Sequence, residues 1–340
     1  MKNIFVFFKH KQSNDTTEYK IYKHLKELYK NTHSVSLSFS SIIFKDDSYQ
    51  IYCTFSKSFI PIQEGDIFII RQISKHYKNA VNLVNIIDNI KEELELTVYH
   101  SYDVIDFFND KYATYLFLKS NDITTIPTIY IPKISLKGNS TLLINSAKQL
   151  GYPLIAKILD GSQGNGVIKV ESETQLRSIC DYLYKKSGPF LLQKYIRAQY
   201  DVRVFTFGEE ILFSMKRNRS DNDFRTNISK GGLGERYDLS KEERQQVQDL
   251  LDALQTRFPE QIGAIGIDFI KNEDDRLYFI EINGSIGIEG ISKVFNIDMS
   301  KIIAKKIFEA NIKEKSIKEL SNTFSPPKNI EANELDLTED

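Results

Sequence analysis

The sequence predicts an α/β module over residues 1–105, followed by a larger body in which helices alternate with antiparallel hairpins. Three observations carry that expectation. The chain opens with a continuous apolar run at residues 3–8 and passes into a stretch with helical spacing, the β-then-α order of an α/β unit. Apolar runs at 201–207 and 211–217 flank a short turn, as do those at 265–270 and 277–283, which is the pattern of hairpins. The length of 340 residues, at about 150 per domain, allows two to three domains with sizeable cores.

Within the first module, residues 3–8 read as a buried strand. Residues 17–30 read as a helix carrying Tyr19, Tyr22, Leu25, Leu28 and Tyr29 on one side. Residues 49–55 and 66–71 read as strands and 81–94 as an amphipathic helix. No constellation of catalytic residue types stands out here. After Asp110-Lys111 a helix runs to about residue 120, then a strand at 126–130 in which Pro127 demands an edge or a first position. A helix over 140–150 stops at Gly151, before a strand at 153–158. A helix over 173–185 and a strand at 190–194 precede the first hairpin, whose turn is 208–210; a polar, glycine-bearing loop over 221–234 follows it. The helix over 241–258 carries the stripe Val247, Leu250, Leu251 and Leu254, and a last helix covers 300–312. From Ser325 the chain holds Pro326-Pro327 and five acids against Lys328, a composition that predicts disorder.

Composition excludes several classes. With 45 Lys+Arg against 46 Asp+Glu, the chain has no global field to hold a polyanion, so nucleic acid is not expected as its partner. No stretch approaches ~18 uninterrupted apolar residues, so no membrane partner is expected. The first apolar run is too short for a secretory signal. Two cysteines far apart, Cys53 and Cys180, cannot build a structural zinc site and suit a reducing compartment, with the cytoplasm as the expectation.

Three clusters could carry chemistry. On the second hairpin, Glu281 and Asn283 alternate onto one face, leaving Tyr278, Ile280 and Ile282 for the other, while Asp268 interrupts the neighbouring apolar strand. Three oxygen-bearing side chains on adjacent strands would suit a hard cation such as Mg²⁺; taken alone, they also suit a solvent-facing hairpin. The second cluster is Asp160-Gly161-Ser162-Gln163-Gly164-Asn165-Gly166 between two strands, with Lys157 just before it. Its backbone amides could wrap phosphate, yet it lacks the Gly-Lys-Ser/Thr ending and following helix of a P-loop, and alone it reads as a hairpin turn. The third is cationic: Arg203, Lys216-Arg217-Asn218-Arg219, and the loop Asp223-Phe224-Arg225-Thr226-Asn227-Ile228-Ser229-Lys230-Gly231-Gly232. Arginine forks there would suit phosphate or acyl phosphate, as they would a solvated surface.

The order of these clusters in one chain resembles the RimK-like branch of the ATP-grasp superfamily, from Asp110-Lys111 to about Met299. The resemblance rests on Gln193-Lys194-Tyr195-Ile196 with Asp201-Val202-Arg203, Asp223-Phe224-Arg225-Thr226-Asn227 with Gly231-Gly232, and Glu281-Ile282-Asn283-Gly284-Ser285 with Gly287-Ile288-Glu289-Gly290. It implies an α/β N-terminal domain followed by an α+β ATP-grasp fold, two antiparallel-sheet domains sandwiching ATP. The implied divisions are 1–105, 106–187, 188–318 and an acidic tail at 319–340.

Position by position, the resemblance implies that Lys111 and Lys157 touch ATP phosphates beneath a mobile loop containing Gly161, Ser162, Gln163, Gly164 and Gly166. Gln193, Lys194, Tyr195 and Ile196 would hold adenine, and Asp201 would lie near ribose. Arg203, Arg217, Asn227 and Lys230 would face the γ-phosphate or acyl phosphate. Asp268, Glu281 and Asn283 would hold two Mg²⁺ ions, with Mn²⁺ an acceptable substitute.

The implied reaction joins a carboxylate to an amine through an acyl phosphate, releasing ADP and phosphate. The carboxylate could belong to a small molecule, a peptide or a protein, the amine to an amino acid, and the assembly could be a homodimer or homotetramer. Two other readings keep the nucleotide site: a peptide-macrocyclising ester or amide ligase, and an ATP-binding module without turnover. Lys194 stands where relatives often carry Glu, and Ile286 where they usually carry Pro, so no one relative's substrate transfers directly.

Overall fold

The computed structural model describes residues 2–9, 16–71, 73, 78–132, 136–159, 166–186, 188–218, 234–259 and 261–313. The predicted tail and most of the glycine and polar loops lie outside the described residues.

The first sheet has the order β2-β1-β6-β7 and is wholly parallel: β1 Ile4–Phe8, β2 Thr32–Ser36, β6 Ile67–Ile69 and β7 Thr97–Tyr99. All five residues of β1 are buried because both faces of the sheet are covered, which is why its sequence is apolar without alternation. Ile4, Val6 and Phe8 pack with Ile21 and Leu25 of α1 (Thr17–Leu28) and with Ile303 and Ile307 of α9 (Met299–Phe308). Phe5 and Phe7 pack with Leu83, Val84 and Ile87 of α2 (Lys78–Ile90) and with Ile51. Of the expected stripe on α1, Leu25 is buried and Tyr19, Tyr22 and Tyr29 pack partly buried against the same core, but Leu28 is exposed and Ile21 is buried in addition. Between β2 and β6 stands an antiparallel meander, β3 Ile42–Lys45, β4 Ser48–Cys53 and β5 Ser58–Pro61. Of its strands only β4 is announced by the sequence pattern, and β2, β7 and α3 (Tyr102–Asn109) are likewise additions to the expected elements. β2 reads Thr-His-Ser-Val-Ser, too polar to announce a strand, and is held by its parallel pairing with β1.

A second, antiparallel sheet has the order β10-β9-β11-β8, with β8 Thr128–Ile131, β9 Leu154–Ile158, β10 Val167–Val170 and β11 Phe190–Lys194. Pro127 immediately precedes the edge strand β8, where a missing N–H costs no ladder bond. The helices α4 (Lys111–Ser120), α5 (Leu136–Leu150) and α6 (Glu173–Lys186) match the expected helical stretches. Gly151, with φ of 78°, ends α5 by donating to the Ala147 carbonyl.

The third sheet, β14-β13-β12-β15-β16, is antiparallel and contains both predicted hairpins. Its strands are β12 Ala198–Phe207, β13 Glu210–Asn218, β14 Gly234–Arg236, β15 Ala264–Asn272 and β16 Leu277–Asn283. The helix α7 (Lys241–Arg257) lays Val247, Leu250, Leu251 and Leu254 on it, as its stripe predicts. Its first turn is closed by a capping box in which Ser240 accepts from the Glu243 amide while Glu243 accepts from the Ser240 amide. A short helix, α8 (Glu289–Phe295), leads to α9 and a π-helical turn, Glu309–Lys313. No helix among the described residues is long and apolar enough to cross a membrane.

Candidate active site

The β15–β16 hairpin decides where the carboxylates fall. Asp268 lies opposite Glu281, and Gly266 opposite Asn283. The register shifts between Asp268 and Phe269, so the core side of β16 is Leu277, Phe279 and Ile282 rather than the expected Tyr278, Ile280 and Ile282. The irregularity re-aims the strand's end while the apolar half stays buried. Asp268, Glu281 and Asn283 come together: the Asn283 amide Nδ2 lies 3.3 Å from Asp268 Oδ2 and 3.4 Å from Glu281 Oε1.

Asp268 is 3% exposed, so it cannot belong to a solvated hairpin face. Arg203, opposite it on β12, donates from Nε and Nη2 at 2.6 and 2.5 Å. Arg217 Nη2 approaches the same carboxylate at 3.2 Å. Arg217 in turn donates bidentately to Asp201 at 2.5 and 2.6 Å, both side chains being buried. Burial by itself would raise the Asp268 carboxyl, but the Arg203 and Arg217 charges overcome it and hold it at about 2. Burial likewise works against the Arg217 charge, and Asp268 and Asp201 push that guanidinium above its ordinary value. Asp201, which the resemblance placed near ribose, is engaged with Arg217.

The second sheet meets this hairpin through Lys157, 8% exposed on β9, whose Nζ lies 3.7 Å from Glu281 Oε2. Lys111, the first residue of α4, donates from Nζ to the Leu159 carbonyl, two residues beyond Lys157. Both expected phosphate-binding lysines therefore reach the same end of β9. Gly166 closes the turn after the glycine loop with φ of 72°, packed so tightly on Ile158 that a Cβ there would overlap it. Gly161, Ser162, Gln163, Gly164, Asn227 and Lys230 lie outside the described residues. Gln193 on β11 donates to Thr128 Oγ1 at 2.9 Å, and the Lys194 amide donates to the Pro127 carbonyl. Lys194 is exposed, and Tyr195 and Ile196 are half-buried. The Tyr195 ring has Lys169 Nζ 4.6 Å from its centroid, a cation–π contact that spacing could not reveal.

The donor set fits a hard cation. Among the described residues no group of three or more His, Cys, Asp or Glu converges. Two carboxylates and a carboxamide do converge, and the Asn283 N–H group already stands as the electropositive atom between both carboxylates. A half-turn of that amide would present its oxygen instead.

A family model, the RimK-like ATP-grasp domain, matches residues 109–307, more than half of the chain. The chain belongs to the RimK-like ATP-grasp family. A probable alpha-L-glutamate ligase 1 of Shewanella oneidensis is 30% identical over 168 residues, 49% of this chain and 54% of that protein, so the chain spans about half the length of the curated relatives it matches. Among solved structures, the ATP-grasp ligase PsnB with minimal precursor, Mg and ADP superposes with a TM-score of 0.64 at 12% identity, covering 90% of this chain and 97% of PsnB. The macrocyclase MdnC of Microcystis aeruginosa, bound to precursor peptide MdnA, gives 0.65 at 15% identity, over 92% of this chain and all of MdnC. At those identities the likeness establishes the ATP-grasp fold, to which the two larger antiparallel sheets described above correspond.

Proposed function

We propose that this protein is an ATP-dependent carboxylate–amine ligase that forms an amide bond through an acyl phosphate and releases ADP and phosphate. The observation that carries the reading is the convergence of Asp268, Glu281 and Asn283 with Lys157 arriving from the opposing sheet. ATP lies between the two antiparallel sheets, its phosphates on Lys111, Lys157 and the loop ending at Gly166, its adenine along residues 193–196, its ribose toward Asp201. Asp268, Glu281 and Asn283 hold the divalent ions, two Mg²⁺ for which Mn²⁺ can substitute, and these supply positive charge to phosphate oxygens when bound.

A substrate carboxylate oxygen forms a bond to the γ-phosphorus as the bridging bond to ADP breaks. The amine nitrogen then adds to the acyl carbon, loses a proton and expels phosphate. Arg203, the more exposed of the two arginines at Asp268, faces the transferring group with Asn227 and Lys230, and Arg217 supports it from behind. Closing the glycine loop keeps water from the acyl phosphate. The carboxylate comes from a peptide, protein or small molecule and the amine from an amino acid. The protein works in the cytoplasm as a homodimer or homotetramer, and its divisions are those at 105, 187 and 318.

Glu281→Ala tests this directly. Substrate-dependent ADP release should fall by at least about a hundredfold with the melting temperature nearly unchanged, because Glu281 is a partly exposed ligand rather than a core residue. An unchanged rate removes Glu281 from the site. Product mass separates an amide from a peptide ester, and a nucleotide-dependent melting shift without ADP release would indicate a binding module.

A further inference from the structure

The first sheet reverses its strand order beside β1, since β2 lies on one side of it and β6 on the other. In sheets of this kind the crevice outside the carboxyl ends of the strands collects ligands at the reversal. In this molecule Arg71 stands at that end of β6. Arg71, two residues beyond β6, donates from Nη1 to Glu18 Oε1 at 2.6 Å and from Nη2 to the Ile286 carbonyl. Glu18 is in the first turn of α1, and Ile286 is three residues beyond Asn283. The Arg71 and Glu18 side chains are only 13% and 21% exposed, so the pair is largely withdrawn from water and costly to leave incomplete.

Arg71 grips a segment bounded by glycines and packed into the core through Ile286 and Ile288. Gly284 and Gly287 flank Ser285-Ile286, and glycines leave backbone free to rotate. Ile286, 2% exposed, folds back over Gly266, whose missing Cβ provides the room, and Gly266 is the register partner of Asn283. A Cβ placed on Gly266 would also lie 3.8 Å from Arg203 Cδ. The loop is thus held over Gly266 of the hairpin, in the core shared with the N-terminal sheet through Ile286 and Ile288, and by Arg71 at the Ile286 carbonyl.

We infer that Arg71 is a positioning residue: by holding the Ile286 carbonyl it fixes how the chain leaves Asn283, and so the aim of the Asn283 amide beside Asp268 and Glu281. The kinetic arm of this inference rests on the ligase reading; the structural and metal arms do not. An arginine that only glued two bodies together would change stability and nothing else.

Three readouts on the full chain distinguish the two, using Arg71→Lys, which keeps the charge but lacks the fork, and Arg71→Met. Hydrogen exchange without nucleotide or metal should quicken at least about fivefold at amides 284–291 in both variants, while β12 and β15 keep their protection. Mn²⁺ titrated with ADP present, followed by electron paramagnetic resonance, should bind about tenfold more weakly. Substrate-dependent ADP release should lose about tenfold or more in kcat, with KM for ATP within about twofold.

Arg71→Lys should melt within a few degrees of the parent, so it decides the matter if Arg71→Met does not fold. Unchanged exchange at 284–291 overturns the clamp, and faster exchange with unaltered Mn²⁺ binding overturns its action on Asn283. If the parent itself releases no ADP with any carboxylate, the ligase reading fails, and the exchange and Mn²⁺ results still decide the role of Arg71.

Discussion

Asp268 shows how a single carboxylate is set for its position by its neighbours. Its folded value of about 2 lies below the unfolded value of about 3.9, so its contribution to stability is present above pH 4 and is lost as pH falls through 2. Removing the charge is another matter: Asp268→Asn leaves Arg203 without its carboxylate and should cost about 3 kcal/mol in a urea titration at pH 7.

His100 governs a different pH window. It is 2% exposed, neither ring nitrogen makes a well-formed hydrogen bond among the described residues, and burial, reinforced by the Arg71 charge and opposed by the Ile70 backbone, lowers it to about 3. Between that value and about 6.5 the unfolded chain binds a proton that the folded chain refuses, so stability falls on acidification. From pH 6.5 to 5 the loss from this group should be about 1.6 kcal/mol. His100→Asn, suited to a backbone φ of 58°, should remove that slope in urea titrations at the two pH values, and an unaltered slope would place it elsewhere.

Among the elements, the β15–β16 hairpin and α7 illustrate how far local pattern reaches. The pattern of α7 is complete in itself: an N-cap serine, Glu243 three residues on, and a stripe at helical spacing that is buried where it should be. Ser240→Ala should lower stability by about 1 kcal/mol, read from the urea midpoint, and leave ADP release unaltered because the cap lies toward the turn of the hairpin, away from Asp268 and Glu281. In the hairpin, by contrast, strict alternation assigns Ile280 to the core side, and the register shift beside Asp268 moves that side to Phe279 and Ile282. Period two is a property of an unbroken ladder, and the partner strand alone shows where it breaks. The polar strand β2 is invisible in the sequence for a related reason: its stability comes from pairing with β1, not from its own residues.

At the scale of the whole molecule, the candidate site exists only where two sheets meet. Lys157 and Glu281 are 124 positions apart in the chain and 3.7 Å apart in space. A ligand held by both sheets should stabilise the whole: ADP with Mg²⁺ at about 100 times its dissociation constant should add about 2.7 kcal/mol, seen as a raised melting temperature. Lys157→Met should reduce that shift while leaving the unliganded melting temperature close to the parent's, since a salt bridge at 3.7 Å with a partly exposed acid contributes little.

The amino-acid order was sufficient for the secondary structure of strongly periodic segments, for the hairpin bearing Asp268, Glu281 and Asn283, and for the family through its motifs, because these depend on spacing within one stretch of chain. Folding in space decided the rest: that Asp268 is buried and clamped by Arg203 and Arg217, that Lys157 crosses to Glu281, and that Arg71, a cation closing an apolar strand, reaches the loop beyond Asn283. Charge pairing and burial depend on distances between residues remote in sequence, and only the packed chain sets those distances.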